Sequence, residues 1–471
     1  MIKKIIAVLM IVFVTVAATI IFYWKDSQFD PSSSDLLIYL LVLPVLISTV
    51  ILTPWLIYRS YQARQQQRNQ PIVEQAAESS DTTEVATEWL TLQLYAAFSK
   101  SALGENDEII QAIQDYQSPQ LDMKLVNSYG LSILSYRIAE LDVYLDQEDQ
   151  QASALSVRQQ RIMLLIQQQI EQQSPFLQHI ADHLRRSSLF FETEHLHEYR
   201  MHPAWIDPQA EYATDESTNT AQLDFVSRLN RLNLHMILSE DLLHLWDDAS
   251  CTDYIHQVLG ELGFLPQKIH VEYHFCGQQS AAYEWSSLLQ DLAQQQEQIA
   301  LIIHADSEID QDLVDERTWL TNQYIAAEYA GCCCVAGLEV KVENLSPIKQ
   351  IRLTLNQPKI ATILDELDLK ELPQYQLEQP FVVVAENATD LKVLKQLNQQ
   401  FEQTPIETQH YLYTSASLGN TQQLSKIFAY MLAMQFPDDQ TIFIASTPTS
   451  IGTAVIQAVP SSDPALEVAV S

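Results

Sequence analysis

The chain has 471 residues, enough for more than one domain, and its formal net charge is -34 at pH 7. Such an acidic chain is repelled by phosphate backbones, and no basic cluster occurs outside the flanks of two apolar runs near its start, which argues against nucleic-acid binding. Only nine glycines are present, without a GxGxxG or GxxxxGK[ST] motif. Because phosphate cradles and oxyanion loops need glycine, this scarcity argues against nucleotide binding and against catalysis in general.

Two apolar, uncharged runs occupy residues 5–23 and 36–58. Each is close to the roughly 20 residues that a helix needs to cross a bilayer core of about 30 Å. A secretory signal has a shorter apolar core and would not be followed so soon by a second span. The sequence therefore predicts a two-helix transmembrane hairpin over residues 1–60, embedded in the lipid bilayer.

The charges that flank the two runs predict the orientation of this hairpin. Basic residues precede the first run and follow the second, whereas the connecting loop is mainly acidic: Lys3, Lys4, Arg59, Arg64 and Arg68 against Asp26, Asp30 and Asp35. Lys and Arg accumulate on the cytoplasmic side, so we expect a two-pass inner-membrane protein whose soluble region is cytoplasmic. An odd number of cysteines, five in all, agrees with a reducing compartment.

The next two segments are predicted to be a linker and a helical region. Residues 61–88 are polar and rich in Gln, which is typical of a linker. From Trp89 to Phe98 apolar residues return at helical spacing, and the same spacing recurs over 109–116 and 155–184. Residues 89–222 are therefore predicted to be mainly helical.

From residue 223 onward the pattern changes to an α/β type. Short apolar runs rich in β-branched residues alternate with amphipathic helical stretches, first over 223–345 and again over 346–471. Strands that alternate with helices indicate crossover connections and a sheet covered by helices on both faces. Two such units in succession predict a duplicated α/β fold.

Several turns in these two units resemble those of thiolase-like condensing enzymes of the β-ketoacyl synthase type. Phe275-Cys276-Gly277 ends a predicted strand and opens a helix, and weaker turn motifs lie at 381–390, 418–421 and 450–456. The resemblance covers about residues 223–459. It implies a thiolase-like, duplicated α/β/α layered fold with an N-terminal and a C-terminal half. It also implies Cys276 at the place of the acylated cysteine, and a homodimer or a heterodimer with a similar subunit.

The residues expected at the active site depart from that family. Its chemistry needs a thiolate and two histidines that stabilise the enolate and its oxyanion. The corresponding places hold Glu386 or Asn387, and Asn420, and a carboxylate would oppose the negative charge that develops. We therefore predict no catalytic residues, no cofactor and no bound metal. If the chain were an enzyme, Cys276 would be its nucleophile and His274 or His304 its base.

The membrane hairpin together with the degenerate condensing-enzyme region resembles accessory proteins encoded with bacterial type VI secretion systems. Short segments at 94–98, 109–121, 131–141 and 305–310 share this resemblance. It implies a non-catalytic scaffold that assembles or regulates the secretion apparatus, with other envelope proteins as partners. Two alternatives stay open. One is a membrane-bound, thioester-dependent acyltransferase that uses Cys276, and the other is a sensor whose acidic outer loop, 26–35, reads an envelope signal.

Three further clusters are interpreted as structural. His195 and His197 are two residues apart, whereas helical zinc sites favour a spacing of four. The acidic run 306–315 lacks the glycine and the final glutamate of a calcium loop, so we expect a solvated turn. Cys332–Cys334 lies in an apolar run without a CxxC partner, which predicts buried strand residues.

Overall fold

The computed structural model describes Phe22 and residues 87–148, 155–198, 227–320, 324–356, 359–376, 381–385, 391–419, 424–444 and 453–459. Apart from Phe22, the predicted hairpin lies outside the described residues, as do Glu386, Asn387 and Asn420. The chain divides into residues 1–84 and 85–471, and only the second unit is described further. In the part of the chain that the structure describes, no helix combines the length and the apolar character that a membrane crossing requires.

The strands of the second unit are β1 Trp89–Ser101, β2 Gly104–Glu105, β3 Gln120–Val126, β4 Ser132–Tyr136, β5 Arg231–Ser239, β6 Ile269–Cys276, β7 Gln298–Ser307, β8 Ala326–Gly337, β9 Lys349–Thr354, β10 Val383–Ala385, β11 Tyr411–Tyr413, β12 Ile442–Ile444 and β13 Ala454–Ala458. Its α-helices are α1 Asp107–Gln114, α2 Ala139–Glu148, α3 Val157–Gln172, α4 Ser174–Glu198, α5 Asp248–Glu261, α6 Ala281–Ala293, α7 Gln311–Leu320, α8 Ile360–Glu366, α9 Leu391–Phe401, α10 Thr414–Leu418 and α11 Ser425–Ala433.

Ten of these strands follow one another across a single sheet in the order β11-β10-β12-β13-β9-β1-β8-β7-β5-β6. The junction of β1 and β9 divides this path into two runs with the same internal order, first-fifth-fourth-second-third. In each run the second strand is parallel to the third and the fourth, and the fifth is antiparallel to the fourth and the first. The expected α/β fold is confirmed, and the repeated order is the duplication that the sequence predicts.

The helical prediction for residues 89–98 is wrong, because these residues begin β1. This strand lies in the middle of the sheet, paired with β8 on one side and β9 on the other. Leu90, Leu92 and Leu94 alternate with the polar residues Thr91 and Gln93, which is the period of a strand. The helical prediction relied instead on the spacing of Trp89, Leu92 and Tyr95, which the same run also fits. The first half therefore begins with β1, inside the region 89–222, and α1 to α4 and the hairpin β3–β4 are inserted between its first two strands.

Helices cover both faces of the sheet, as the layered fold requires. On one face, Trp285 of α6 and Phe428 of α11 pack against side chains of β7 and β8. On the other, Leu165 of α3 and Ile255 of α5 pack against alternate residues of the same strands. Cys332, Cys333 and Cys334 of β8 are fully buried between these layers, which confirms their prediction as buried strand residues.

The prediction of a solvated acidic turn at 306–315 is wrong at its start, because Asp306 and Glu308 are fully buried at the end of β7. Arg158 of α3 donates to Asp306 over 3.0 Å, and Tyr324 donates to Glu308. These carboxylates can be buried because each accepts a hydrogen bond, Asp306 from a cationic donor and Glu308 from a hydroxyl donor. Burial and then the nearby Asp306 raise the pKa of Glu308 to about 7.

Candidate functional site

The third strand of the first half, β6, ends the sheet and carries a row of chemically active side chains. Residues alternate between the two faces of a strand, and Val271, Tyr273 and Phe275 pack into the core under α5. The other face therefore carries the residues that alternate with these three, which we call the β6 row: His270, Glu272, His274 and Cys276. Parallel pairing sets this row beside β5, with His235 opposite Glu272 and Ile237 opposite His274.

Cys276 lies where β6 turns into α6, as the sequence predicts. The turn is tight: the backbone N–H of Gly277 donates to the Ser280 hydroxyl over 3.0 Å, and that of Ala281 to the Gly277 carbonyl over 2.8 Å. A Cβ on Gly277 would lie 2.1 Å from a carboxylate oxygen of Glu240, so a larger residue there would require the flexible Glu240 side chain to move. The Cys276 thiol is consequently held near the start of α6 with Glu240 close by.

The surroundings of Cys276 keep the thiol protonated. Its Sγ donates to Oε2 of Glu284, on the first turn of α6, over 3.0 Å, and the residue is 1% exposed. Burial raises the pKa of the Cys276 thiol well above its usual range, and the Glu284 and Glu240 carboxylates raise it further. A thiolate would be buried next to two negative charges, so the arrangement disfavours the nucleophilic form.

Neither imidazole ring that the sequence offers as a base is hydrogen-bonded to Cys276 among the described residues. The His274 ring contacts His235, and only the His274 carbonyl approaches the thiol, at 4.0 Å. His304 of β7 is fully buried, with its ring stacked at 5.3 Å from that of Tyr329 and 6.1 Å from that of Phe428. Burial lowers the pKa of His304 to about 3, which leaves it a poor proton acceptor. The structure brings His274 near Cys276 in the row but gives its ring another partner.

Two residues of the β6 row, together with His235 of β5, could hold a metal ion. His235, Glu272 and His274 each offer a ligand atom within 4.8 Å of the other two. Nδ1 of His235 lies 3.0 Å from Nε2 of His274 and 3.6 Å from a Glu272 oxygen. Burial lowers the pKa of His235 to about 3, and His274 and His270 contribute to this shift. Since His235 is neutral at pH 7, its contact with Glu272 is not an ion pair there.

The sequence reasoning identified Cys276 and His274 but missed His235, Glu272 and Glu284. One signal was present: His270, Glu272, His274 and Cys276 alternate along a segment predicted as a strand, which places all four on one face. His235 carries no such signal, because its position opposite Glu272 depends on how β5 and β6 pair.

Comparisons with known proteins bear on the fold. No family model and no curated protein matches the chain. Among solved structures, it is similar to the ketosynthase from module 6 of the bacillaene synthase of Bacillus subtilis 168, with 9% identity, 79% of this chain and 71% of that chain covered, and a TM-score of 0.43.

Two further solved structures are similar over about half of the chain. The 3-oxoacyl-(acyl carrier protein) synthase III of Pseudomonas aeruginosa PAO1 is 12% identical, with 50% of this chain and 78% of that chain covered and a TM-score of 0.28. The acyltransferase ChlB3 is 12% identical, with 49% and 77% covered and a TM-score of 0.30. Similarity at this level says nothing of activity.

Proposed function

We propose that this chain is a non-catalytic binding protein built on a thiolase-like fold. One observation carries the proposal: the buried thiol of Cys276 donates to the carboxylate of Glu284 over 3.0 Å. Acyl transfer from a thioester requires a thiolate, which nearby cations or an adjacent base would favour. Here the nearest charges are carboxylates, and their effect on the pKa of Cys276 has the opposite sign.

The histidines near Cys276 in the fold or the sequence support the same proposal. Among the described residues the His274 ring contacts the ring of His235. Burial lowers the pKa of His304 to about 3, so its ring is neutral at pH 7. The sequence further places Glu386 or Asn387, and Asn420, where condensing enzymes of this type have histidines. A pair of imidazoles that could stabilise an enolate is thus missing from the sequence pattern.

The setting of this protein is proposed from the sequence. The predicted hairpin over 1–60 would anchor the chain in the bacterial inner membrane, with the soluble region in the cytoplasm. The resemblance to accessory proteins of type VI secretion systems supports a scaffold role in assembly or regulation of that apparatus. Its partners would then be other envelope proteins, a second copy of the chain or a similar subunit.

An exposed apolar surface on the hairpin β3–β4 is consistent with partner binding. Leu121 and Met123 of β3 are 59% and 78% exposed, and Tyr129 and Leu131 of the connecting turn are 85% and 63% exposed. Apolar side chains grouped in this way mark protein interaction surfaces more often than single exposed ones do. A partner that covers this hairpin would remove these side chains from water.

The proposal is tested by exposing the full-length, detergent-solubilised protein to acetyl- and octanoyl-coenzyme A and measuring its intact mass. We expect no acyl adduct, and slow alkylation of Cys276 by iodoacetamide at pH 7.5, because the thiol is protonated and buried. Replacing Glu284 by Gln removes one carboxylate charge and should speed alkylation several-fold, whereas Asp291→Asn, at an exposed position of α6, should not. An acyl adduct that disappears in Cys276→Ala would overturn the proposal.

The alternative is a membrane-bound, thioester-dependent acyltransferase that uses Cys276. The position of Cys276 favours it, since a thiol at the turn from the third strand into a helix is where the resemblance places an acylated cysteine. The same mass measurement separates the two functions, because only the alternative requires a covalent intermediate on Cys276.

A further inference from the structure

We propose that His235, Glu272 and His274 bind a divalent transition-metal ion, with Zn²⁺ as the expected ion. The site goes beyond the proposed function, since partner binding does not require it. Its ligands come from two neighbouring parallel strands. Glu272 and His274 are two residues apart on one face of β6, and His235 of β5 lies opposite Glu272 in register.

The distances from His235 to the other two ligand atoms match those around a small ion. Two ligands about 2.0–2.1 Å from a tetrahedral Zn²⁺ lie roughly 3.3 Å apart. Nδ1 of His235 is 3.0 Å from Nε2 of His274 and 3.6 Å from the Glu272 oxygen, so each separation is within about 0.3 Å of that value.

The types of ligand and the surroundings also fit a zinc ion. Two imidazoles and one carboxylate form a donor set that Zn²⁺ uses with a fourth position left open for water. Glu272 is exposed and His274 is partly exposed, so the ion would have access from solvent along the outer strand. Glu272 and the nearby Glu284 supply negative charge that attracts a dication.

A hydrogen bond between two neutral histidines is the structural alternative. Nδ1 of His235 and Nε2 of His274 are close enough for one ring to donate to the other. Such a contact needs no carboxylate, whereas a metal site needs Glu272 as well. The two accounts therefore predict different effects of replacing Glu272.

The test uses full-length protein without a polyhistidine tag, stripped with a chelator in detergent and titrated with ZnCl₂ in a calorimeter. We expect one Zn²⁺ per chain, and a loss of affinity of at least about 10-fold in each of His274→Gln and Glu272→Gln. His179→Gln, an exposed histidine on α4, which covers the opposite face of the sheet, should bind as the wild type does. Titration with CoCl₂ should give the visible absorption of a four-coordinate ion.

Thermal unfolding of the metal-free variants shows whether they remain folded. The proposal is overturned if the wild type binds no stoichiometric Zn²⁺, or if Glu272→Gln and His274→Gln, folded as the wild type is, bind with unchanged affinity. Equal loss in His179→Gln would likewise overturn it, since the affinity would then come from elsewhere. Acylation of Cys276 is measured separately, so either proposal can fail without the other.

Discussion

The two halves of the sheet share one topology but differ in what they are built from. The outermost strand of the first half is β6, which carries the polar β6 row. The outermost strand of the second half is β11, whose three residues Tyr411, Leu412 and Tyr413 are aromatic or apolar.

The difference is clearest where the second and third strands of each half pair. In the first half His235 lies opposite Glu272. In the second, Val383 lies opposite Tyr411 and Ala385 opposite Tyr413, so the corresponding pairs are apolar or aromatic. Among the described residues, the β6 row is therefore particular to the first half, and the duplicated topology does not by itself create a site.

Buried ion pairs are a second feature of the first half. Nε and Nη2 of Arg161 donate to the two carboxylate oxygens of Glu328 on β8, over 2.7 and 2.6 Å. Both side chains are almost fully buried. A buried pair of this kind is costly to break, because the remaining charge loses its partner without regaining water. Stability of the first half should therefore depend on α3 staying docked against β8.

Replacement of Arg161 by Ala is expected to have the largest effect, a loss of about 3–5 kcal/mol in the free energy of unfolding. It leaves the Glu328 carboxylate buried without its bidentate partner. Urea unfolding of the full-length chain, followed by circular dichroism, measures the change. Arg185→Ala, which removes an exposed pair with Asp182 on α4, is the control and should cost under about 0.5 kcal/mol. Equal effects in the two variants would contradict a special role for the buried pair.

Much of the fold is predictable from sequence because its amphipathic elements carry a clear period. The buried residues of α6 recur every three or four positions, as in an amphipathic helix. The strand Ile269–Cys276 has turn signals at both ends. β1 shows the limit, since its first residues fit both a helical spacing and a strand alternation, and only the pairing with β8 and β9 decides between them. The start of β8 shows a further limit, since Ala326 and Ala327 pair with Ser135 and Tyr136 of β4, which lie far earlier in the chain.

The candidate site likewise has a part that the sequence predicts and a part that it does not. The turn that holds Cys276 is local, so a strand, a glycine and a helix start in succession predict it. Glu284 as the partner of the thiol requires the rotation of α6 relative to β6, and His235 beside His274 requires the register of two strands that are 29 residues apart along the chain. Neither can be obtained from periodicity, because a pattern along one element carries no information about its neighbour's register.

His304 provides a test of how the halves are joined, since its ring lies against Phe428 of α11. Its pKa is about 3 in the folded chain, against about 6.5 when unfolded. Below pH 6.5 the unfolded chain therefore binds a proton that the folded chain does not, and stability falls as pH drops towards 3. His235 acts in the same direction. Glu308, with its pKa raised to about 7, acts oppositely between about pH 4.5 and 7.

We expect His304→Phe to reduce this acid sensitivity by about 3 kcal/mol at pH 4 relative to pH 7, as the difference in pKa implies. Phenylalanine keeps the aromatic contact with Tyr329 and Phe428. Urea unfolding at several pH values between 4 and 7 gives the slope of stability against pH. His410→Phe in the second half is the comparison, since burial lowers the pKa of His410 as well. A slope that His304→Phe leaves unchanged would show that His304 is not neutral in the folded protein.

Replacement of Lys349, in the first strand of the second half, should change the free energy of unfolding much less than replacement of Arg161. Its Nζ is buried and donates to the carbonyls of Met434, over 2.8 Å, and Phe436, while the carboxylate of Asp438 lies 3.5 Å away and is exposed. Burial lowers the pKa of Lys349, which means that the loss of water around its charge already reduces the stability of the folded chain. Lys349→Met keeps the length of the side chain, removes that desolvation cost and loses two hydrogen bonds, so the free energy of unfolding should fall by only about 1 kcal/mol. Urea unfolding of this variant beside Arg161→Ala would show whether buried charge is essential to one half only. A loss as large as that of Arg161→Ala would mean that both halves depend on it, and that the contrast between them is confined to the β6 row.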